Sequence, residues 1–239
     1  MFFSKTGTDS WICSASLIKR GVVVTAAHCV SEFGKNRFYS KIQFIPAYYN
    51  GVAPYGVWTA KSVGVMISYL NGTDPCYQKG VICQNDVAVI TLNAKTNPTY
   101  PGTSTGWYGY GANGYGFTTN KEAQISQLGY PASHDGGRLM QRTDSLGFIY
   151  APYANNTLIG SRQTGGSSGG PWLVNLGVPA TLSGTGYGAS AAYNTVVGTS
   201  SWGVVTPTTV KLLGASPFLS TNIVPLVSAA CTATPAACQ

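Results

Sequence analysis

Residues 164–172 read Thr-Gly-Gly-Ser-Ser-Gly-Gly-Pro-Trp, so Gly165, Gly166, Gly169 and Gly170 enclose Ser167 and Ser168. Glycine permits backbone angles closed to other residues, so such a turn can aim several N–H groups at one point. A serine held there combines a hydroxyl for acyl transfer with donors for the oxyanion its attack creates. That hydroxyl is a poor nucleophile until a nearby imidazole accepts its proton. A flexible Gly/Ser linker would share the composition, but Pro171-Trp172-Leu173-Val174 follows at once and argues for a turn leading into a buried strand.

The imidazole comes from Thr25-Ala26-Ala27-His28-Cys29, at the end of a Val22-Val23-Val24 run. Taken alone, His28 could equally be a satisfied core residue. The other histidine, His134, lies in Ser133-His134-Asp135-Gly136, a polar turn suited to solvent. An imidazole acting as base also needs a carboxylate to fix its tautomer and to stabilise its charged form. Asp86 stands at the mouth of the apolar run Val87-Ala88-Val89-Ile90, where capping the strand is the plainer role; Asp74, Asp135 and Asp144 sit in looser polar contexts.

The elements that must hold these groups read as short strands. Of 239 residues, 30 are Gly and 13 are Pro, and only 9% are charged, which is too uncharged for a disordered chain and too broken for long helices. Strand composition recurs at 11–19, 21–25, 38–45, 58–67 and 86–92, and again at 106–111, 121–128, 137–143, 147–151, 171–175 and 196–205. Residues 93–106, with Pro98 and Pro101, read as a linker between the two groups. Residues 221–230 carry Ile223, Leu226 and Val227 at helical spacing behind Thr221 or Asn222 as a cap, with Pro225 tolerated in the first turn. The Tyr- and Gly-rich stretch 108–116 has no fixed period and lacks the Lys-Ser/Thr ending of a phosphate loop.

Six cysteines allow 15 connectivities, and sequence proximity favours Cys13 with Cys29, Cys76 with Cys83, and Cys231 with Cys238. With no Cys-x-x-Cys and two histidines the metal reading is weak, so disulfides in an oxidising compartment are expected. The charge of +7 arises from scattered residues, without the basic cluster that nucleic-acid binding requires. No apolar stretch reaches the roughly 18 residues that span a bilayer. Met1-Phe2-Phe3 lacks the features of a signal peptide, as in a processed or truncated chain.

Taken together, Thr25-Ala26-Ala27-His28-Cys29, Asp86-Val87-Ala88-Val89-Ile90 and Ser168-Gly169-Gly170-Pro171 resemble the three motifs of the trypsin-like serine peptidases, in that family's chain order of His, Asp, Ser. The resemblance runs from Cys13 to Leu226 and is nearer the secreted bacterial glutamyl-endopeptidase-like branch. It implies an all-β, chymotrypsin-like fold of two six-stranded antiparallel β-barrels with a short C-terminal helix. His28 and Asp86 would lie in a barrel spanning 1–98, and Ser168 in one spanning 99–239. The implied activity is that of a serine endopeptidase with His28, Asp86 and Ser168 as triad and the Gly166 and Ser168 amides as oxyanion hole.

The resemblance also implies that Arg162, Thr164, Gly165, Ser200, Ser201, Trp202 and Gly203 bind substrate, that residues 214–218 back the specificity pocket, and that Cys13 and Cys29 form the bridge beside the histidine. No metal or organic cofactor is implied. The expected partner is a protein or peptide, the chain acting as a secreted monomer outside the cell or in the periplasm, with no nucleic acid and no membrane insertion.

Three positions depart from the pattern. Ser167 replaces the aspartate that pairs with a freed amino terminus in cleavage-activated members. Arg162 occupies the pocket-base position at which an aspartate selects Lys and Arg, which disfavours such cleavage and could instead receive an acidic side chain on the acyl side of the cleaved bond. The stretch between Trp172 and Ser201 is long, with 181–194 expected as a hairpin or loop beside the pocket.

Overall fold

The computed structural model describes residues 1–113, 122–177, 194–204 and 211–239. The first half contains Phe2–Ser4 (β1), Trp11–Ile12 (β2), Ser16–Lys19 (β3), Val22–Thr25 (β4), Ser31–Glu32 (β5), Arg37–Phe38 (β6), Ser40–Phe44 (β7), Trp58–Val65 (β8), Ile67–Asn71 (α1), Cys76–Gln78 (β9), Ile82–Cys83 (β10) and Ala88–Leu92 (β11). The second contains Gly102–Thr105 (α2), Gly109–Tyr110 (β12), Glu122–Gly129 (β13), Gln141–Tyr150 (β14), Asn156–Gly160 (β15), Pro171–Val174 (β16), Thr195–Gly203 (β17), Leu212–Pro217 (β18) and Ile223–Ala233 (α3).

One seven-stranded sheet runs β2-β1-β7-β8-β11-β4-β3, while β5 with β6 and β9 with β10 form two-stranded ribbons. The other large sheet runs β17-β16-β13-β14-β15-β18, and β17 pairs again with β18, closing a barrel. β12 adds in parallel outside β17. The expectation of two closed six-stranded barrels is thus corrected. The C-terminal sheet closes, whereas the N-terminal sheet stays open and curled, with β2 and β3 at its edges.

The reason lies in residues 13–15, which separate β2 from β3 where a continuous closing strand was expected. Cys13 N, donating to Met1 O at 3.0 Å, still extends the β1–β2 ladder, but the Ser14 groups are committed elsewhere: its N–H donates across the molecule to Ser168 O at 2.7 Å and its carbonyl accepts the Thr25 hydroxyl at 2.8 Å. A peptide group used for one ladder cannot serve another. β2 is left two residues long, with both side chains exposed.

The unbroken valine run of β4 is explained by burial on both faces. Val23 packs into the N-terminal core with Ile90 and Leu92, while Val22 and Val24 face a second core with Val89, Leu128, Leu173, Phe218 and Ile223. Each such side chain contributes about 1.5–3 kcal/mol. A third cluster around Trp172, Ile125 and Ile159 fills the closed barrel.

α3 packs Ile223 and Val227 into the second core. Asn222 caps it, its Oδ1 accepting from Ile223 N at 2.5 Å and Leu219 N at 2.7 Å. Pro225 falls in the first turn, where a missing N–H costs nothing. The helix runs past the expected 230 to Ala233 and is tied back by the Cys231–Cys238 disulfide.

Other boundaries also moved. The two strands expected at 137–143 and 147–151 are the single β14, and the linker at 93–106 contains α2. Lys121, Val205, residues 114–116 of the Tyr/Gly stretch and residues 181–193 of the expected pocket loop lie outside the described residues. No helix among the described residues is long and apolar enough to cross a membrane.

Candidate active site

β4 and β11 pair with Ala88 opposite Thr25, so the residues just after one strand and just before the other share one end of the sheet. The chain leaves β4 through a 3-10 turn, Ala27–Cys29, in which Cys29 N donates to Ala26 O at 3.1 Å and Val30 N to Ala27 O at 3.0 Å. The Cys13–Cys29 disulfide anchors this turn. His28 is thereby set opposite Asp86, donating its backbone N–H to Asp86 Oδ1 at 2.8 Å and meeting Oδ2 with Nδ1 at 2.7 Å.

The two side chains differ in access. Asp86 is wholly buried, while the His28 side chain keeps 23% of its surface. A buried carboxylate requires paired donors, and besides His28 it receives the Ser201 hydroxyl at 2.5 Å. The contact on Nδ1 leaves Nε2 as the nitrogen free to exchange a proton.

Ser168 reaches the same place from the closed barrel. Its carbonyl accepts the Ser14 amide at 2.7 Å, and the next residue, Gly169, donates to Ser200 O at 2.6 Å. Gly169 has φ +77°, and a Cβ there would lie 2.0 Å from Thr25 Oγ1 and 2.8 Å from Ala26 N. Only glycine lets the serine turn seat against the strand end that carries His28.

The amides of Gly166 and Ser168 donate to no described group. Ala132 N donates to Gly165 O at 2.8 Å. Because a peptide is planar and trans, holding that carbonyl directs the Gly166 N–H the opposite way. Gly166 itself has φ +96°, and a Cβ would come within 2.4 Å of Tyr130 O. Ser167 closes the turn, its backbone N–H and its hydroxyl both donating to Thr164 O, at 3.1 and 2.7 Å.

The other expected substrate contacts separate into distinct environments. Ser200 is buried and its hydroxyl accepts from Gln127 Nε2 and Trp172 Nε1, each at 3.0 Å, which occupies it in the barrel interior. Ser201 stands on Asp86. Trp202 donates Nε1 to Asn156 Oδ1 at 2.7 Å and meets Tyr153 edge-on at 5.3 Å. Gly203 is exposed at the end of β17, as is Gly165 in the serine turn. Thr164 Oγ1 accepts from Ser133 N at 3.0 Å, tying the turn to the loop that carries His134. Arg162 is exposed, and among the described residues nothing bonds its guanidinium. His134 is exposed, with Nδ1 2.9 Å from its neighbour's Ser133 Oγ.

Sequence reasoning missed Asn156 and Asn85. Asn156 is fully buried and links Trp202 to the N-terminal half by donating to Cys83 O at 2.9 Å. Asn85, beside Asp86, gives its backbone N–H to Asp74 Oδ2 at 2.8 Å and its amide to Oδ1 at 2.5 Å. Burial raises the Asp74 carboxyl above its ordinary 3.8, the nearby Asp86 adds to this, and the Asn85 and Ser68 donors oppose it.

Among the described residues, two groups of metal-ligand type converge, Cys13 with His28 and Cys29, and Asp74 with Cys76 and Cys83. Their cysteines are joined as the Cys13–Cys29 and Cys76–Cys83 disulfides, so their sulfurs are not thiolates.

No curated protein sequence matches the chain. Among solved structures, it resembles a thermostable serine protease, AL20, from an extremophilic microorganism, with 23% identity and TM-score 0.72 over 92% of this chain and 89% of that one. Protease Anisep from Arthrobacter nicotinovorans gives 24% identity and TM-score 0.71 over 99% and 93%. A Glu endopeptidase solved with MPD gives 18% and 0.62 over 96% and 88%. At these identities the likeness is one of fold. The family model described as trypsin matches residues 1–214, taking in all three motifs, the N-terminal sheet and the C-terminal sheet as far as the start of β18, so the chain belongs to the trypsin family and is a serine endopeptidase.

Proposed function

We propose that His28, Asp86 and Ser168 are the catalytic triad of this endopeptidase, with the Gly166 and Ser168 amides as its oxyanion hole. The observation that carries the reading is the buried Asp86 gripping His28 by two hydrogen bonds, 2.8 and 2.7 Å, at the strand end where the Ser168 turn is seated. In this mechanism His28 Nε2 takes the Ser168 hydroxyl proton as Oγ bonds to the peptide carbonyl carbon. The carbonyl electrons move onto its oxygen, which the two amides stabilise. His28 then gives the proton to the leaving amine as the C–N bond breaks. Water, deprotonated by His28, releases the acyl group and restores the serine.

Cleavage after an acidic residue would need the Arg162 guanidinium turned into the pocket. Its exposure, and the uncharged buried set of Gln127, Ser161, Gln163 and Ser200 behind the serine turn, favour a neutral side chain on the acyl side of the cut. The three disulfides favour an extracellular or periplasmic setting.

The test is a fluorophosphonate probe on the folded protein, followed by peptide mapping. The expected result is one adduct, on Ser168, lost in His28→Ala. A folded, unlabelled wild type, or an adduct elsewhere, overturns the assignment.

A further inference from the structure

Ser14 is 2% exposed and makes four hydrogen bonds, three of which join the two halves of the molecule. Its backbone N–H goes to Ser168 O at 2.7 Å, and its carbonyl accepts Thr25 Oγ1 at 2.8 Å. Any residue could supply those two. The hydroxyl supplies the others, donating to Gly166 O at 2.8 Å and accepting from Tyr130 N at 2.9 Å.

We propose that the Ser14 hydroxyl is a positioning group for the oxyanion hole, holding Gly166 in the conformation that presents its N–H to the reacting carbonyl. The inference rests on the role given above to Gly166 and Ser168. Gly166 lies between two peptide planes, and each has one anchored carbonyl: Gly165 O by Ala132 N at 2.8 Å, and Gly166 O by Ser14 Oγ. A glycine has little intrinsic barrier to rotation about the bonds that join such planes, so the angle between them follows their anchors. The Gly166 N–H lies in the first plane; without the Ser14 bond the second plane is tied only within the turn, by Ser167 N–H on Thr164 O at 3.1 Å, and the turn that carries the N–H can shift against the strand end that carries His28.

Within the turn the same plane has one further bond, Ser167 N–H to Thr164 O at 3.1 Å, and the Ser167 hydroxyl is spent on that carbonyl too, so neither ties Gly166 to the N-terminal half. Among the described residues, the Ser14 hydroxyl makes the only side-chain hydrogen bond between residues 164–169 and the N-terminal sheet. Ser14 also follows Cys13, whose disulfide partner Cys29 follows His28. One short segment therefore sets both the base and the oxyanion donors. An oxyanion donor acts on charge that develops in the transition state, so its misplacement falls on kcat.

The experiment compares wild type with Ser14→Ala and Ser14→Gly. The substrate is a quenched fluorescent peptide copied from the first bond the enzyme cuts in β-casein, and a fluorophosphonate gives the inactivation rate. Ser14→Gly leaves room for a water on the Tyr130 N–H and serves if Ser14→Ala does not fold. Rates are referred to the folded fraction from near-UV circular dichroism. The expected result is that kcat and the inactivation rate fall together by about 10- to 100-fold while KM stays within about twofold. Folded variants with both rates within about twofold of wild type, or a loss carried by KM alone, overturn the proposal. Active wild type with unaffected variants would remove only the Ser14 role. Wild type that gives no Ser168 adduct would remove the triad reading beneath it.

Discussion

Ser201 sets its hydroxyl oxygen 2.5 Å from Asp86 Oδ2, the same carboxylate oxygen that lies 2.7 Å from His28 Nδ1. The hydroxyl also reaches the Val81 carbonyl. With one proton to give, it favours the charged acceptor. It therefore shares the carboxylate oxygen with His28.

Ser201→Ala is expected to lower kcat/KM about 10- to 100-fold, matching the roughly 1.5–3 kcal/mol of one hydrogen bond to a charged group. Steady-state kinetics on the folded variant test it, with kcat carrying the loss because the charge on His28 develops in the transition state. A kcat/KM within about twofold of wild type would mean that Ser201 only packs.

Asn156 joins Trp202 Nε1, at 2.7 Å, to Cys83 O, at 2.9 Å, with no exposed surface. Asn156→Ala leaves the half-buried Trp202 Nε1 without its partner while Cys83 O keeps the Ser216 hydroxyl at 2.8 Å, a loss of about 1–3 kcal/mol. Urea denaturation should show it. KM should rise as Trp202 loses its anchor, and an unchanged KM would detach Trp202 from substrate binding.

These two residues show where the sequence was legible. β4 and β11 were readable because both faces are buried, so Val22-Val23-Val24 and Val87-Ala88-Val89-Ile90 are continuous apolar runs. The serine turn was readable because Gly166 and Gly169 sit at positive φ against backbone atoms, which no other residue tolerates. Asn156 stands in a polar Asn-Asn-Thr stretch outside every strand expected from the sequence, yet it starts β15 in the barrel wall. Among the described residues its amide is satisfied by Cys83 and Trp202, both distant in the chain. The open N-terminal sheet was hidden for a like reason: the groups that interrupt closure at Ser14 are claimed by Ser168, 154 positions away, and local pattern carries no sign of it.

Arg162 offers a test of specificity. An exposed guanidinium with no described partner contributes little to a pocket, so Arg162→Ala should leave the cleavage map of a peptide library unchanged and kcat/KM within about twofold. Loss of cuts after Glu and Asp in the variant would show that the side chain turns inward when substrate binds, and would reverse the neutral preference.

Asp74 gives a prediction about pH. Its Oδ1 accepts from Asn85 Nδ2 and, at 3.2 Å, from Ser68 Oγ, while Oδ2 accepts the Asn85 N–H. Burial nevertheless dominates and raises the carboxyl above 3.8. The folded chain then holds this proton more tightly than the unfolded chain, so through this group stability falls as pH rises from 3.8 to the raised folded value, and is constant above it. Asp74→Asn cannot titrate and should be less stable throughout, because its –NH₂ must face a donor. The wild type's advantage over the variant should therefore shrink as pH rises through that window and level off beyond it. Denaturant unfolding of both proteins at successive pH values isolates the effect, since the remaining carboxylates are common to both. An advantage that grew with pH would mean that the Asn85 and Ser68 donors outweigh burial and hold Asp74 as a carboxylate beside the Asp86 loop.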